Sequence, residues 1–270
     1  MKNYFKISLL LLAFLCMNFA SFSQDAPNSL GPAPYVLNNA PQSQVFDVAV
    51  GTRAFTQISS SPTFQFGKSF LESCTITNIG APFTITFPGG LVYRNGVVYT
   101  YNQSSPYQLW SIDTVTGIHT LVFNITGVPQ ANLTGMTWDG TTMYGVSSSI
   151  SVSQIFTINM TTGVCTTIGS PSATCAGAIF LAGRNLVGAG LFSVDILLDN
   201  LYKWNKTTGV ATLVGPLGGN ANFGQDGQFD NADGKLYWMS YILGPALRTI
   251  DTATGSGVQL CTYLAQATGI

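Results

Sequence analysis

The side chains able to do acid–base or metal chemistry are few. The chain has one histidine, His119, one glutamate, Glu72, and four arginines, Arg53, Arg94, Arg184 and Arg248. A Ser-His-Asp or Cys-His nucleophilic site would have to use His119, which falls in a predicted outer strand where a solvated side chain is expected. A histidine-rich metal centre cannot be assembled from one imidazole. Glycoside hydrolysis needs two carboxyl groups across the scissile bond, and Asp195 with Asp199, or Asp226 with Asp230, are the pairs that spacing allows. The oxygen-rich stretch Asp226-Gly-Gln-Phe-Asp230-Asn-Ala-Asp233-Gly234 suggests Ca²⁺, but its spacing is not that of an EF-hand loop, and Asp233-Gly234 aligns with hairpin turns elsewhere in the chain. These residues predict no catalytic group, no metal and no cofactor.

The elements that must position any site are short strands. Of the 270 residues, 46% are apolar and 8% are charged, with 29 glycines. That charge content is far below the usual quarter, so charge repulsion does not keep the chain unfolded. β-Branched and aromatic residues recur in short runs between turn residues, an all-β composition. Residues 1–23 stand apart: Lys2 and Lys6, an apolar run from Ile7 to Met17, then Ala20-Ser21-Phe22-Ser23. This is the pattern of a cleaved signal peptide, and the run is short for a membrane span. Its removal takes two of the ten Lys and Arg residues, leaving eight against eleven acids, a net charge of −3. No basic patch is available for nucleic acid or anionic lipid, and no later segment is apolar enough to span a bilayer. Secretion to the medium or the cell surface is therefore expected. Cys74, Cys165, Cys175 and Cys261 are too sparse for a disulfide scaffold and are expected as buried apolar side chains.

A repeat organises the rest. Leu109-Trp-Ser-Ile112-Asp113-Thr-Val-Thr116-Gly117 recurs as Ile155-Phe-Thr-Ile158-Asn159-Met-Thr-Thr162-Gly163, Leu201-Tyr-Lys-Trp204-Asn205-Lys-Thr-Thr208-Gly209 and Leu247-Arg-Thr-Ile250-Asp251-Thr-Ala-Thr254-Gly255, with the glycines 46 apart. Asp or Asn opens the turn by accepting from amides two residues on, and Gly supplies the positive φ that closes it. A second hairpin precedes each copy, turning at Asn95-Gly96, Asp139-Gly140, Arg184-Asn185 and Asp233-Gly234. Asn-Gly and Asp-Gly between apolar runs are strong hairpin signals. Four short antiparallel strands in 46 residues is the content of a β-propeller blade.

The Tyr-bearing second strand followed by apolar-x-x-[Ile/Trp]-[Asp/Asn]-x-x-Thr-Gly resembles the propeller repeats grouped with YVTN and quinoprotein-like blades. Leu236-Tyr237-Trp238-Met239-Ser240 resembles a YWTD blade. The signal segment ending in Phe-Ser-Gln, with Asn- and Thr-rich repeats, is similar to exported proteins of the Bacteroidetes type, in which Asp113-Thr114-Val115 and Asp251-Thr252-Ala253 would be O-glycosylation acceptors. The resemblance implies blades and is nearly silent about function.

The expected organisation is a signal peptide at 1–23, a linker at 24–44 and a propeller at 45–270. Its blades run at about 45–82, 90–124, 135–169, 177–215 and 227–262. Ala267-Thr268-Gly269-Ile270 matches the start of a further first strand. Since two strand residues would not complete a blade, the expectation is an incomplete ring that continues in a longer protein; a closed five-bladed ring is the alternative.

The first-strand glycine precedes the Thr-Gly glycine by 27, 28, 32 and 28 residues. The extra length is predicted in the loops between second and third strands and between blades, which share one face. Variable loops on one face of a regular scaffold are where binding resides. The candidates are residues 191–200, with Phe192, Asp195 and Asp199, and residues 215–226, with Asn220, Asn222, Phe223, Gln225 and Asp226. Aromatic rings beside amides and carboxylates suit a carbohydrate or an extracellular protein surface. The predicted function is a non-catalytic binding or scaffold propeller. The alternative is a secreted carbohydrate-active hydrolase or lyase whose site is partly built by missing blades.

Overall fold

The computed structural model describes residues 53–270, apart from 61, 62, 86, 185 and 187. The predicted signal peptide and linker lie outside these residues. Twenty strands form five four-stranded antiparallel sheets. The first sheet contains β1 (Arg53–Ser60), β2 (Thr63–Phe70) and β3 (Ile76–Asn78). The second runs β4 (Pro88–Arg94), β5 (Val97–Asn102), β6 (Gln108–Ile112) and β7 (His119–Asn124). The third runs β8 (Asn132–Trp138), β9 (Met143–Ser148), β10 (Ser153–Ile158) and β11 (Cys165–Thr167). The fourth runs β12 (Ala182–Gly183), β13 (Leu191–Asp195), β14 (Asn200–Trp204) and β15 (Ala211–Pro216). The fifth runs β16 (Asp226–Phe229), β17 (Leu236–Tyr241), β18 (Pro245–Ile250) and β19 (Gly257–Thr262). The last strand, β20 (Ala267–Gly269), pairs antiparallel with β1 and becomes the innermost strand of the first sheet. The inner strands touch in the order β20, β4, β8, β12, β16 and back to β20. The chain is an all-β, five-bladed β-propeller.

This corrects the expectation of an open ring. Residues 267–270 are indeed an inner strand, but of the first blade and not of a sixth. Blade one lacks an inner strand of its own between residues 53 and 78, and the last strand supplies it. Side chains bind the seam: Thr56 Oγ1 donates to the Gly269 carbonyl at 2.9 Å, and Gln57 Nε2 donates to the Gly89 carbonyl and to Thr268 Oγ1. Closure pairs the otherwise open edge of β1, which would be a template for pairing with another chain.

A second correction concerns cysteine. Cys74, in the turn between β2 and β3, is disulfide-bonded to Cys261 of β19, 187 residues away. The bond joins the first and last blades near their outer strands, across the same seam that β20 closes inside. Sparse cysteines gave no hint of this, because residues this remote in sequence meet only when the ring closes. Cys165 and Cys175 are free; burial pushes the Cys165 thiol up to about 12 and raises that of Cys175 as well.

The repeat motif acts as the prediction required. Asp113, Asn159, Asn205 and Asp251 each accept from the amides two and three residues on. The four glycines have φ between 70° and 84°. They also have a role that turn chemistry alone does not explain. A Cβ on Gly209 would lie 2.1 Å from the Ile168 carbonyl oxygen, and one on Gly117 2.4 Å from that of Ile79. Each motif glycine thus abuts the backbone leaving the outer strand of the preceding blade. The conformation and the blade-to-blade contact both demand glycine at the same place.

The core lies between blades. Trp204, Trp238, Phe66, Phe156 and Phe180 are fully buried. His119 is half-buried and not solvated: its ring stacks on Phe83 at 3.7 Å between centroids, and Nδ1 lies 2.9 Å from the Gly117 carbonyl. Burial lowers its pKa.

Candidate functional site on the loop face

Second-to-third-strand loops and interblade loops come together at one end of the propeller. In blades two to five the loops joining second and third strands hold three to five residues, so they do not carry the length variation. Register equates Gly183 with Trp138 and Phe229, so Gly177 lies ahead of the first strand and part of the extra length of blade four falls in the interblade segment 168–181; the connection 184–190 between first and second strands, on the opposite face, carries the rest. Residues 191–195, read as loop, are strand β13.

The eight candidate residues separate into inward and outward sets. Phe192 is buried in β13, its ring edge-to-face with Phe229 at 5.7 Å. Asp195, at the end of β13, has no exposed surface; its carboxylate accepts from the amides of Gly177, Leu197 and Leu198, holding the turn 196–199 against the incoming interblade segment. Burial raises its pKa against those amides. Gln225 is buried, takes the indole N–H of Trp238 on Oε1 and donates from Nε2 to the Asn222 carbonyl. These contacts fix loop conformation.

Asp226 occupies the axis. It begins β16 and is 1% exposed. Its Oδ2 accepts from the Leu91 amide of β4 and from the Ile270 amide after β20, both at 3.0 Å. One carboxylate therefore binds blades five, two and one together. Gly90 admits it, since a Cβ there would lie 2.3 Å from the carboxyl carbon. Burial pushes this carboxyl up to about 7, opposed by the amides of Ile270, Leu91 and Gly227. The Tyr101 phenol faces it, and burial first, then this carboxylate, raises the phenol. Deeper along the axis, Gln228 Nε2 donates to the carbonyls of Leu91 and Met136, and Oε1 accepts from Thr137.

The two carboxylate pairs do not face one another as acid and base. Asp226 and Asp230 flank opposite ends of β16. Asp195 turns into the turn amides, whereas Asp199, at φ +58°, accepts from the Ala221 amide. Among the described residues, no group of three or more His, Cys, Asp or Glu is placed to hold a metal ion.

Asn220, Asn222, Phe223 and Asp199 remain at the surface or half-exposed. They belong to one continuous stretch of loops. The Asp199 carbonyl accepts from Leu217, and Asn222 N–H donates to the Tyr241 carbonyl. Tyr263 N–H donates to the Pro245 carbonyl, and Gln266 Nε2 to that of Gly224. The Phe223 and Tyr241 rings meet edge-to-face at 4.9 Å. On the same set of loops three leucines face solvent: Leu198 at 46%, Leu264 at 78% and Leu243 fully exposed. Tyr241, Leu243 and Leu264 were missed in the sequence. The available signal was Tyr241-Ile-Leu-Gly244, an apolar stretch where a loop between strands should be polar.

No helix among the described residues is long and apolar enough to cross a membrane. No protein-family model matches the sequence, and no curated protein matches it. Solved structures match in fold. A propeller in a nidogen/laminin complex superposes with TM-score 0.52 at 14% identity, over 83% of this chain and 81% of that one. A structural-genomics protein of unknown function from Bacteroides thetaiotaomicron VPI-5482 gives 0.46 at 14% identity over 73% of this chain, which spans 55% of its length. TolB from Acinetobacter baumannii gives 0.46 at 13% identity, over 78% of this chain and 53% of TolB. At these identities the likeness is one of fold, and this chain is similar to them as a β-propeller.

Proposed function

We propose that this protein is a non-catalytic binding or scaffold propeller of the cell exterior, which takes a protein partner on the loop face of blades four and five. The observation that carries this reading is the apolar exposure on these loops: Leu198, Leu243 and Leu264 face solvent on the loops that also carry the Phe223–Tyr241 ring pair and the exposed Asn220. Exposed apolar residues set among amides are the composition of a protein interface core with a polar rim. Exposed leucines favour a protein over a carbohydrate, whose hydroxyls would call for a polar lining. The nidogen/laminin complex supports a protein partner as a precedent of fold only. The exterior location rests on the signal-peptide pattern of residues 1–23.

The test is an interaction screen against extracellular proteins, with a glycan array in parallel, using wild type and a Leu243→Ser/Leu264→Ser variant. The expected result is a protein hit weakened about tenfold or more in the variant, the scale of losing buried apolar anchors. A hit of equal strength in both proteins, or a glycan hit alone, overturns the reading.

A further inference from the structure

The opposite mouth of the propeller carries an arrangement that the loop-face reading does not use. Cross-strand register places Tyr93, Trp138, Gly183 and Phe229 at equivalent positions at the ends of the inner strands, paired with Val98, Met143, Leu191 and Leu236. The next residue in each of these four blades is charged, and its sign alternates: Arg94, Asp139, Arg184, Asp230. Two of the chain's four arginines thus stand at one end of the channel, in blades two and four.

Each arginine leans over the aromatic ring of the following blade. The Arg94 guanidinium carbon is 4.6 Å from the Trp138 ring centroid, and that of Arg184 is 5.2 Å from the Phe229 centroid. Stacking on a ring engages the face of a guanidinium and leaves its in-plane N–H fork for other partners. Both Nε atoms are buried with no hydrogen-bond partner among the described residues. A buried donor without an acceptor costs free energy until one is supplied.

The acids at the alternate positions are already engaged. Asp139 pairs with Lys206 and accepts from the Thr141 and Thr142 amides; burial works to raise its pKa, yet Lys206 and those amides hold it below the usual value. Asp230 accepts from the Ala232 amide, and the nearby Asp233 pairs with Lys235. Neither arginine forms an ion pair among the described residues. Two cations, each with a buried Nε–H that lacks an acceptor, beside carboxylates bonded to their own turns, call for an acceptor from outside the chain.

We infer that this mouth is an oxyanion-binding site, with Arg94 and Arg184 as its donors and a phosphate, sulfate or carboxylate group as its ligand. Planar guanidinium forks match such groups in bidentate geometry. The inference is independent of the loop-face reading, since it concerns other residues at the other end of the channel.

The probes are inorganic phosphate, inorganic sulfate and acetate. They are titrated by calorimetry and by tryptophan fluorescence, to which Trp138 under Arg94 reports directly. Wild type should bind at least one of them saturably, more weakly as NaCl rises. Arg94→Gln/Arg184→Gln should weaken binding about tenfold or more, as loss of charge-assisted hydrogen bonds implies. The control Lys68→Gln, which removes a cation from the outer part of blade one, should not. Thermal melts establish that each variant is folded, and Arg94→Lys/Arg184→Lys, which keeps the charge without the fork, should bind with intermediate affinity. No saturable binding to wild type, or equal weakening in the Lys68→Gln control, overturns the site.

Discussion

Asp226 shows how far a residue's role depends on what surrounds it. As one of several aspartates in an oxygen-rich stretch it suggests ligand binding or half of a catalytic pair. In place it is a buried carboxyl holding three blades through the amides of Leu91 and Ile270. With its folded-state value raised to about 7, the folded protein holds this proton more tightly than the unfolded chain does. The associated stability is fully present below the ordinary carboxylate range and is lost as pH climbs from about 4 to about 7. The rise of roughly three pKa units corresponds to a cost on the order of 4 kcal/mol at neutral pH. Asp226→Asn keeps the acceptor without the charge. Denaturation midpoints of the variant should therefore fall less between pH 4 and 8 than those of wild type, leaving the smaller slope from Asp195 and Asp230, whose carboxyls burial also raises. Parallel pH profiles for the two proteins would exclude this account.

At the level of elements, the Thr-Gly hairpin couples a turn to its neighbour. Gly209 has φ +70°, and a Cβ there would lie 2.1 Å from the Ile168 carbonyl oxygen; Gly96 has φ +88° with nothing within 4 Å. Gly96→Ala should cost about 1–2 kcal/mol, the penalty for an L residue in the left-handed region. Gly209→Ala carries that penalty and must also displace the preceding blade, so its loss in chemical denaturation should be clearly larger. Equal losses would mean that the hairpins matter only as turns. The sequence exposed this element fully, because its period, turn residues and apolar positions are local. In blade four the same dependence on local pattern misleads: with the first strand reduced to Ala182–Gly183 and a long connection after it, the pattern reads β13 as a loop.

The whole molecule is a ring closed twice at one seam, by β20 inside and by Cys74–Cys261 outside. A cross-link spanning 187 residues restricts the unfolded chain strongly. Reduction, or Cys74→Ser/Cys261→Ser, should cost about 2–4 kcal/mol. Hydrogen exchange should rise first in β1, β3, β19 and β20, and exchange that rises evenly over all five blades would contradict a local role at the seam. The two mouths differ in character: one presents apolar loops around Phe223 and Tyr241, the other stacked arginines.

Composition, the 46-residue period and the turn residues determined by themselves that this chain is all-β and built of four-stranded blades. Those signals come from residues close together along the chain, where periodicity and turn preference act. Tertiary structure alone decided that the ring closes, that two remote cysteines meet, and that Asp195, Gln225 and Asp226 turn inward while Leu243 and Leu264 turn out. It also decided that Arg94 and Arg184 share one mouth. Each of these depends on contacts between residues from different blades, and such contacts exist only once five blades are set around one axis.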